Sequence, residues 1–84
     1  MARKQIDRSD SDAPSPALSL LAASVHARRK HLRLTQETLA ELAGCSSRFV
    51  RQLEGGKGTV RLDKVEAVLR ALGLELRAMS RTVS

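Results

Sequence analysis

Residues 35–54 read TQETLAELAGCSSRFVRQLE, a stretch that resolves into two short helices joined by one tight turn. Thr35 is a natural N-cap, and Glu37 and Thr38 suit the first turn behind it. Leu39, Ala40 and Ala43 then fall on one face at helical spacing. Gly44 predicts the stop, because glycine is the usual residue where a helix ends in a left-handed turn. Cys45 gives a short apolar step, and Ser46 is the next N-cap. The following helix is expected from about Ser47 to Glu54. At 100° per residue, Ser46, Phe49, Val50 and Leu53 gather on one side and Ser47, Arg48, Arg51 and Gln52 on the other. One face is core, and the other is free to read a partner.

Upstream, Ser15 before Pro16 marks a cap followed by a first-turn proline. Leu18, Leu21, Val25 and Leu32 recur at helical spacing from there through Arg33. The run Arg28-Arg29-Lys30 with His31 lies toward that helix's C-terminus, where cations suit the helix dipole. Downstream, Gly55-Gly56-Lys57-Gly58 predicts a loop. Leu62, Val65, Leu69 and Leu72 then define a fourth helix closed by Gly73. After Gly73 the period changes: Leu74, Leu76 and Ala78 alternate with Glu75, Arg77 and Met79, the pattern of a short strand. A lone strand leaves its edges unpaired, so its expected partner is the same segment of a second subunit. Leu74, Leu76 and Ala78 are the expected dimerisation residues. The predicted organisation is an arm too poor in apolar residues to order itself (1–16), a helical domain (17–73), and a strand and tail (74–84).

The chain has 84 residues, enough for one domain. A core this small often leans on an oligomeric partner for buried surface. Lys and Arg outnumber Asp and Glu by 15 to 9, a net charge of +6, and residues 1–16 hold three of each sign. The whole surplus therefore sits in the folding part, the electrostatic footprint of a polyanion binder. There is no Trp or Tyr and one Phe, Phe49. The aromatic platforms on which single strands stack are missing, which favours duplex DNA. No secretory signal pattern and no bilayer-length apolar run occurs, so the reading is a cytoplasmic protein without a membrane partner. Cys45 has no second thiol to pair with and reads as a small buried hydrophobe. His26 and His31 stand about 140° apart around a helix, so they do not converge on a metal, and no metal or cofactor is expected.

The ordered string Thr35-Gln36-Glu37-Thr38-Leu39-Ala40-Glu41-Leu42-Ala43-Gly44-Cys45-Ser46, followed by Val50, Leu53-Glu54 and Gly56-Lys57, resembles lambda-repressor-like (Cro/XRE-type) helix-turn-helix domains across roughly residues 18–73. The resemblance implies an all-α, compact four-helix domain, here with a short C-terminal strand paired across a dimer. It implies that the second helix of the motif enters the major groove of operator DNA. Arg48-Phe49-Val50, Gly56-Lys57, Thr59 to Val65 and Ala71-Leu72-Gly73-Leu74 look more narrowly like HipB-type antitoxins. Such proteins bind HipA-type kinase toxins and repress their own operon.

The implied DNA-binding set is Thr35, Gln36, Ser46, Ser47, Arg48, Arg51, Gln52 and Lys57. Gln36, at the start of the motif's first helix, is implied to bond a phosphate and to steady a side chain of the recognition helix. Arg48 can fork onto guanine O6 and N7 or clamp a phosphate, and Gln52 can pair in two places with adenine. Arg51 reaches toward bases or backbone; Lys57 and Arg61 suit phosphates. Phe49 belongs to the apolar arc. Catalysis is not expected, because no paired carboxylates or nucleophile-base set emerges and the chain is too short for an enclosed pocket. The glycine-rich loop fails as a Walker motif, since Arg51 and Gly58 stand where Gly and Ser or Thr are required. The alternative to an antitoxin is a stand-alone phage-type repressor or restriction-modification controller with no toxin partner.

Overall fold

In the computed structural model, residues 15–56 and 58–80 are described. Among them four helices follow one another: α1 (Pro16–His31), α2 (Gln36–Ala43), α3 (Ser47–Gly55) and α4 (Leu62–Ala71). Three of the four starts are set by a hydroxyl. Ser15 accepts from the Leu18 amide at 2.9 Å, Thr35 from Thr38 at 2.9 Å and Ser46 from Phe49 at 3.0 Å. Each replaces water at a helical N–H that has no intrahelical acceptor. Pro16 occupies the first turn of α1, where its missing amide costs nothing.

The turn between α2 and α3 is fixed by Gly44, at φ 74°. In that left-handed conformation the next amide, Cys45, folds back onto the Ala40 carbonyl at 3.0 Å. Any side chain at Gly44 would strain the backbone although space around it is open. The chain is thereby turned into α3 within three residues.

Val25 of α1, Leu39 and Ala40 of α2, Phe49, Val50 and Leu53 of α3, and Val65, Val68 and Leu69 of α4 form one core, with Leu72 closing its end. α3 packs against both α1 and α2, and α4 packs on α2. The inward side of α3 is therefore fully committed, with Val50 and Leu53 wholly shielded from water. Its other side faces out.

Three sequence expectations need correction. Leu32 does not extend the apolar stripe of α1. The helix stops at His31, Arg33 turns left-handed at φ 60°, and Leu32 is left 39% exposed. Leu62 opens α4 but is 60% exposed, and Val68, one turn beyond Val65, is buried in its place. The third concerns residues 74–80. Among the described residues there is no strand, and the architecture is all-helical. Leu74 returns its amide to the Leu69 carbonyl at 2.8 Å and packs half-buried on the core. Leu76 and Ala78 are exposed, and no backbone hydrogen bond ties residues 75–80 to the domain among the described residues. A strand exists through its ladder, and one copy of the chain offers this segment no neighbour. The arm expected over 1–16 lies outside the described residues except at Ser15 and Pro16, which begin α1.

Candidate nucleic-acid interface

α3 carries its polar face at the surface because its apolar residues recur three and four apart, and packing them dictates where the rest must point. Arg48, Arg51 and Gln52 are exposed, and Ser47 is half-buried at the first turn. Among the described residues Arg48 has no hydrogen-bond or ion-pair partner. Arg51 and Gln52 do. The Arg51 guanidinium stands 3.8 Å from the Glu37 carboxylate on α2, and the Gln52 amide donates to the Thr59 carbonyl at 3.0 Å.

Gln52 is thus held by the loop that leads to α4, with its carbonyl oxygen still available. Arg48, Gln52, Thr59, Arg61 and Lys64 border a shallow groove between the start of α3 and the start of α4. Arg61 is occupied by Asp63 through two contacts, at 2.8 and 3.2 Å. That fork holds the Asp63 carboxyl below the usual aspartate range, helped by the Lys64 amide at 2.9 Å. The surface between the helix starts is net cationic and polar.

The hydroxyls of Thr35 and Ser46 serve first as caps. Thr35 also donates its proton to the Thr38 hydroxyl at 2.9 Å, whereas the Ser46 hydroxyl accepts from Phe49 and keeps its own proton free to donate. Lys57 lies outside the described residues.

Gln36 is half-buried, and its amide donates to Glu54 at 3.2 Å. Glu54 is the residue that sequence reasoning missed. Its side chain is 6% exposed and gathers donors from two other helices. Arg29 of α1 forks onto it at 2.6 and 3.0 Å, His26 Nδ1 lies 2.9 Å from the same carboxylate, and Gln36 reaches it from α2. Arg29 also donates to the Leu34 carbonyl at 2.7 Å. Burial pushes the Glu54 carboxyl upward, but the bonds from Arg29, His26 and Gln36 outweigh burial and hold it below the usual glutamate range. The same contact raises the Arg29 guanidinium above its ordinary value. Both groups stay charged.

A signal for Arg29 was present. It follows Ala22 by seven residues and Val25 by four, which places it on the buried stripe of α1 rather than among solvated cations. A charge there demands a partner. Which partner it takes is decided by helix packing across 25 residues of sequence. Arg28, beside it, donates to the Leu72 carbonyl at 2.9 Å and fastens α1 to the end of α4.

Cys45 packs half-buried against the core, and burial raises its thiol, which favours the unreactive protonated form. Among the described residues no group of His, Cys, Asp or Glu is arranged to hold a metal ion. No helix among them is long and apolar enough to cross a membrane.

The pattern of a family described as "Helix-turn-helix domain" matches residues 20–81. An uncharacterised HTH-type transcriptional regulator, y4mF, from Sinorhizobium fredii is 41% identical over 56 residues, which cover 67% of this chain and 74% of that protein. Among solved structures, the clp gene regulator ClgR from Corynebacterium glutamicum superposes with a TM-score of 0.64 at 25% identity. The superposition covers 75% of this chain and 67% of that one.

Proposed function

The chain belongs to the helix-turn-helix domain family, and we propose from that premise that it binds operator DNA as a homodimer, with α3 of each protomer in the major groove. The observation that carries this reading is the face of α3. Ser47, Arg48, Arg51 and Gln52 project from a helix whose opposite side is wholly engaged in the core, and Arg48 has no protein partner among the described residues. A long, exposed guanidinium on the first turns of a rigid helix is suited to forking onto guanine. Gln36, Ser46 and Lys57 take phosphates alongside, and these contacts set the register. Thr35 contributes as the cap that places Gln36.

The dimer forms through residues 74–80. Leu76 is 46% and Met79 84% exposed, and both lie in residues 75–80, whose backbone groups are unpaired among the described residues. Pairing Leu74, Leu76 and Ala78 with their copies about a two-fold axis satisfies those groups and covers apolar surface. The resemblance of residues 48–50, 56–57, 59–65 and 71–74 to HipB-type antitoxins supports a second role. In it the protein neutralises a HipA-like kinase toxin and represses the operon that encodes both.

Selection from a pool of randomised duplexes tests the DNA reading. The selected sequences should form an inverted repeat with half-site centres about 10 bp apart. Truncation after Gly73 should yield a monomer by sedimentation and lose the preference for paired half-sites. Recovery of no sequence at all would reject operator binding. Co-expression with the product of the adjacent reading frame separates the antitoxin from a stand-alone repressor, since only an antitoxin relieves toxicity.

A further inference from the structure

Glu37 places a carboxylate beside the one face of this +6 chain that is to meet a polyanion. It sits in the first turn of α2 and is 69% exposed, with its oxygen 3.8 Å from the guanidinium of Arg51, itself 53% exposed. An acidic residue at a helix start suits the dipole, but that duty needs no arginine within reach. The arginine here comes from another helix, and from its reading face.

An arginine on such a face has two outlets. Phosphates accept it on every sequence, whereas guanine O6 and N7 accept it on a few. A carboxylate beside the guanidinium treats the two differently. Swinging Arg51 onto a phosphate gives up the Glu37 contact and brings a second anion toward the first. A guanine edge carries no net charge, so Arg51 can reach it with Glu37 still alongside.

We propose that Glu37 is a specificity-determining positioning residue: it holds Arg51 for a base edge and makes indiscriminate phosphate docking less favourable. Discrimination is then built partly by repulsion against the wrong target. The inference rests on the operator-binding reading above. Arg61 and Asp63 supply an internal contrast, since that pair lies within one loop and helix start, at 2.8 Å, off the face of α3. Asp63 restrains a cation suited to phosphates alone.

The test uses the full chain, the duplex recovered by selection and a random-sequence duplex of equal length, with anisotropy titrations at several salt concentrations. Glu37→Gln should tighten binding to the random duplex by about twofold to fivefold, the range of an exposed ion pair. It should tighten operator binding less, so the ratio of the two affinities falls. The salt dependence on the random duplex should steepen by about one ion. In an Arg51→Met background, Glu37→Gln should leave the ratio unchanged. Asp63→Asn should tighten both duplexes equally. A helix-start role alone would lower the melting temperature of Glu37→Gln and leave the ratio intact, and that result overturns the proposal, as does an unchanged effect without Arg51. If the wild-type chain selects no sequence, the operator reading fails first and this one with it.

Discussion

At its C-terminal end α3 carries an arginine–glutamate pair withdrawn from water, and one turn earlier it carries one that stands in it. Glu54 and Arg29 meet at 2.6 Å with side chains 6% and 9% exposed. Arg51 and Glu37 stand 3.8 Å apart with more than half of each side chain exposed. The residue types are the same, but their surroundings give them opposite duties. Out of water, a charge without its partner is severely penalised, so the buried pair is obligatory and fixes α3 against α1, with Gln36 of α2 bonded to the same carboxylate. In water the pair is weak, so it biases where Arg51 points without locking the guanidinium away from DNA.

The largest effect should come from breaking the buried pair. Glu54→Ala leaves Arg29 charged inside the domain and should cost about 3–5 kcal/mol, measured by thermal melting. Arg29→Met combined with Glu54→Leu should recover most of that loss. A full loss in the double variant would show that the pair stabilises by more than mutual need. Acid sharpens the same point. Because Glu54 is held below its ordinary value of 4.5, the stability it contributes is complete above that value and is lost as pH falls through the lower folded value. Glu54→Gln should therefore flatten the acid limb of the melting temperature against pH below about 4.5.

A smaller effect, in binding rather than stability, is expected at the exposed part of the helix. Arg48→Ala should weaken operator binding by about 1–3 kcal/mol and random duplex far less, with the melting temperature almost unchanged. Equal losses on both duplexes would make Arg48 a phosphate contact and move base reading to its neighbours.

The adjacent glycines at the locked end give the smallest and most local contrast. A Cβ on Gly56, at φ 72°, would lie 3.3 Å from Ala22 Cβ, so Gly56→Ala should destabilise by about 1–2 kcal/mol. Gly55 has open space around it, and Gly55→Ala should stabilise by about 0.5 kcal/mol. If both alanines were neutral in thermal melts, the junction between α3 and α1 would be looser than its contacts indicate.

The sequence by itself determined the four helices, their caps at Ser15, Thr35 and Ser46, the turn at Gly44, and the division of α3 into apolar and polar faces. Each depends on residues within a few positions of one another, through hydrogen bonds to the nearest free amides and the fixed 100° step of the helix. The tertiary structure decided what each polar side chain is free to do. Arg29 sits in a basic run yet is buried because α3 lies over that face of α1, and Glu54 becomes the meeting point of three helices for the same reason. Gln52 and Arg51 read alike on the helical wheel, but one is held by Thr59 in a loop and the other faces Glu37 on α2. Leu74, Leu76 and Ala78 alternate as a strand would, while the ladder that defines a strand requires a neighbour beyond the single chain. Local spacing fixes direction, whereas partnership depends on which distant element is packed there.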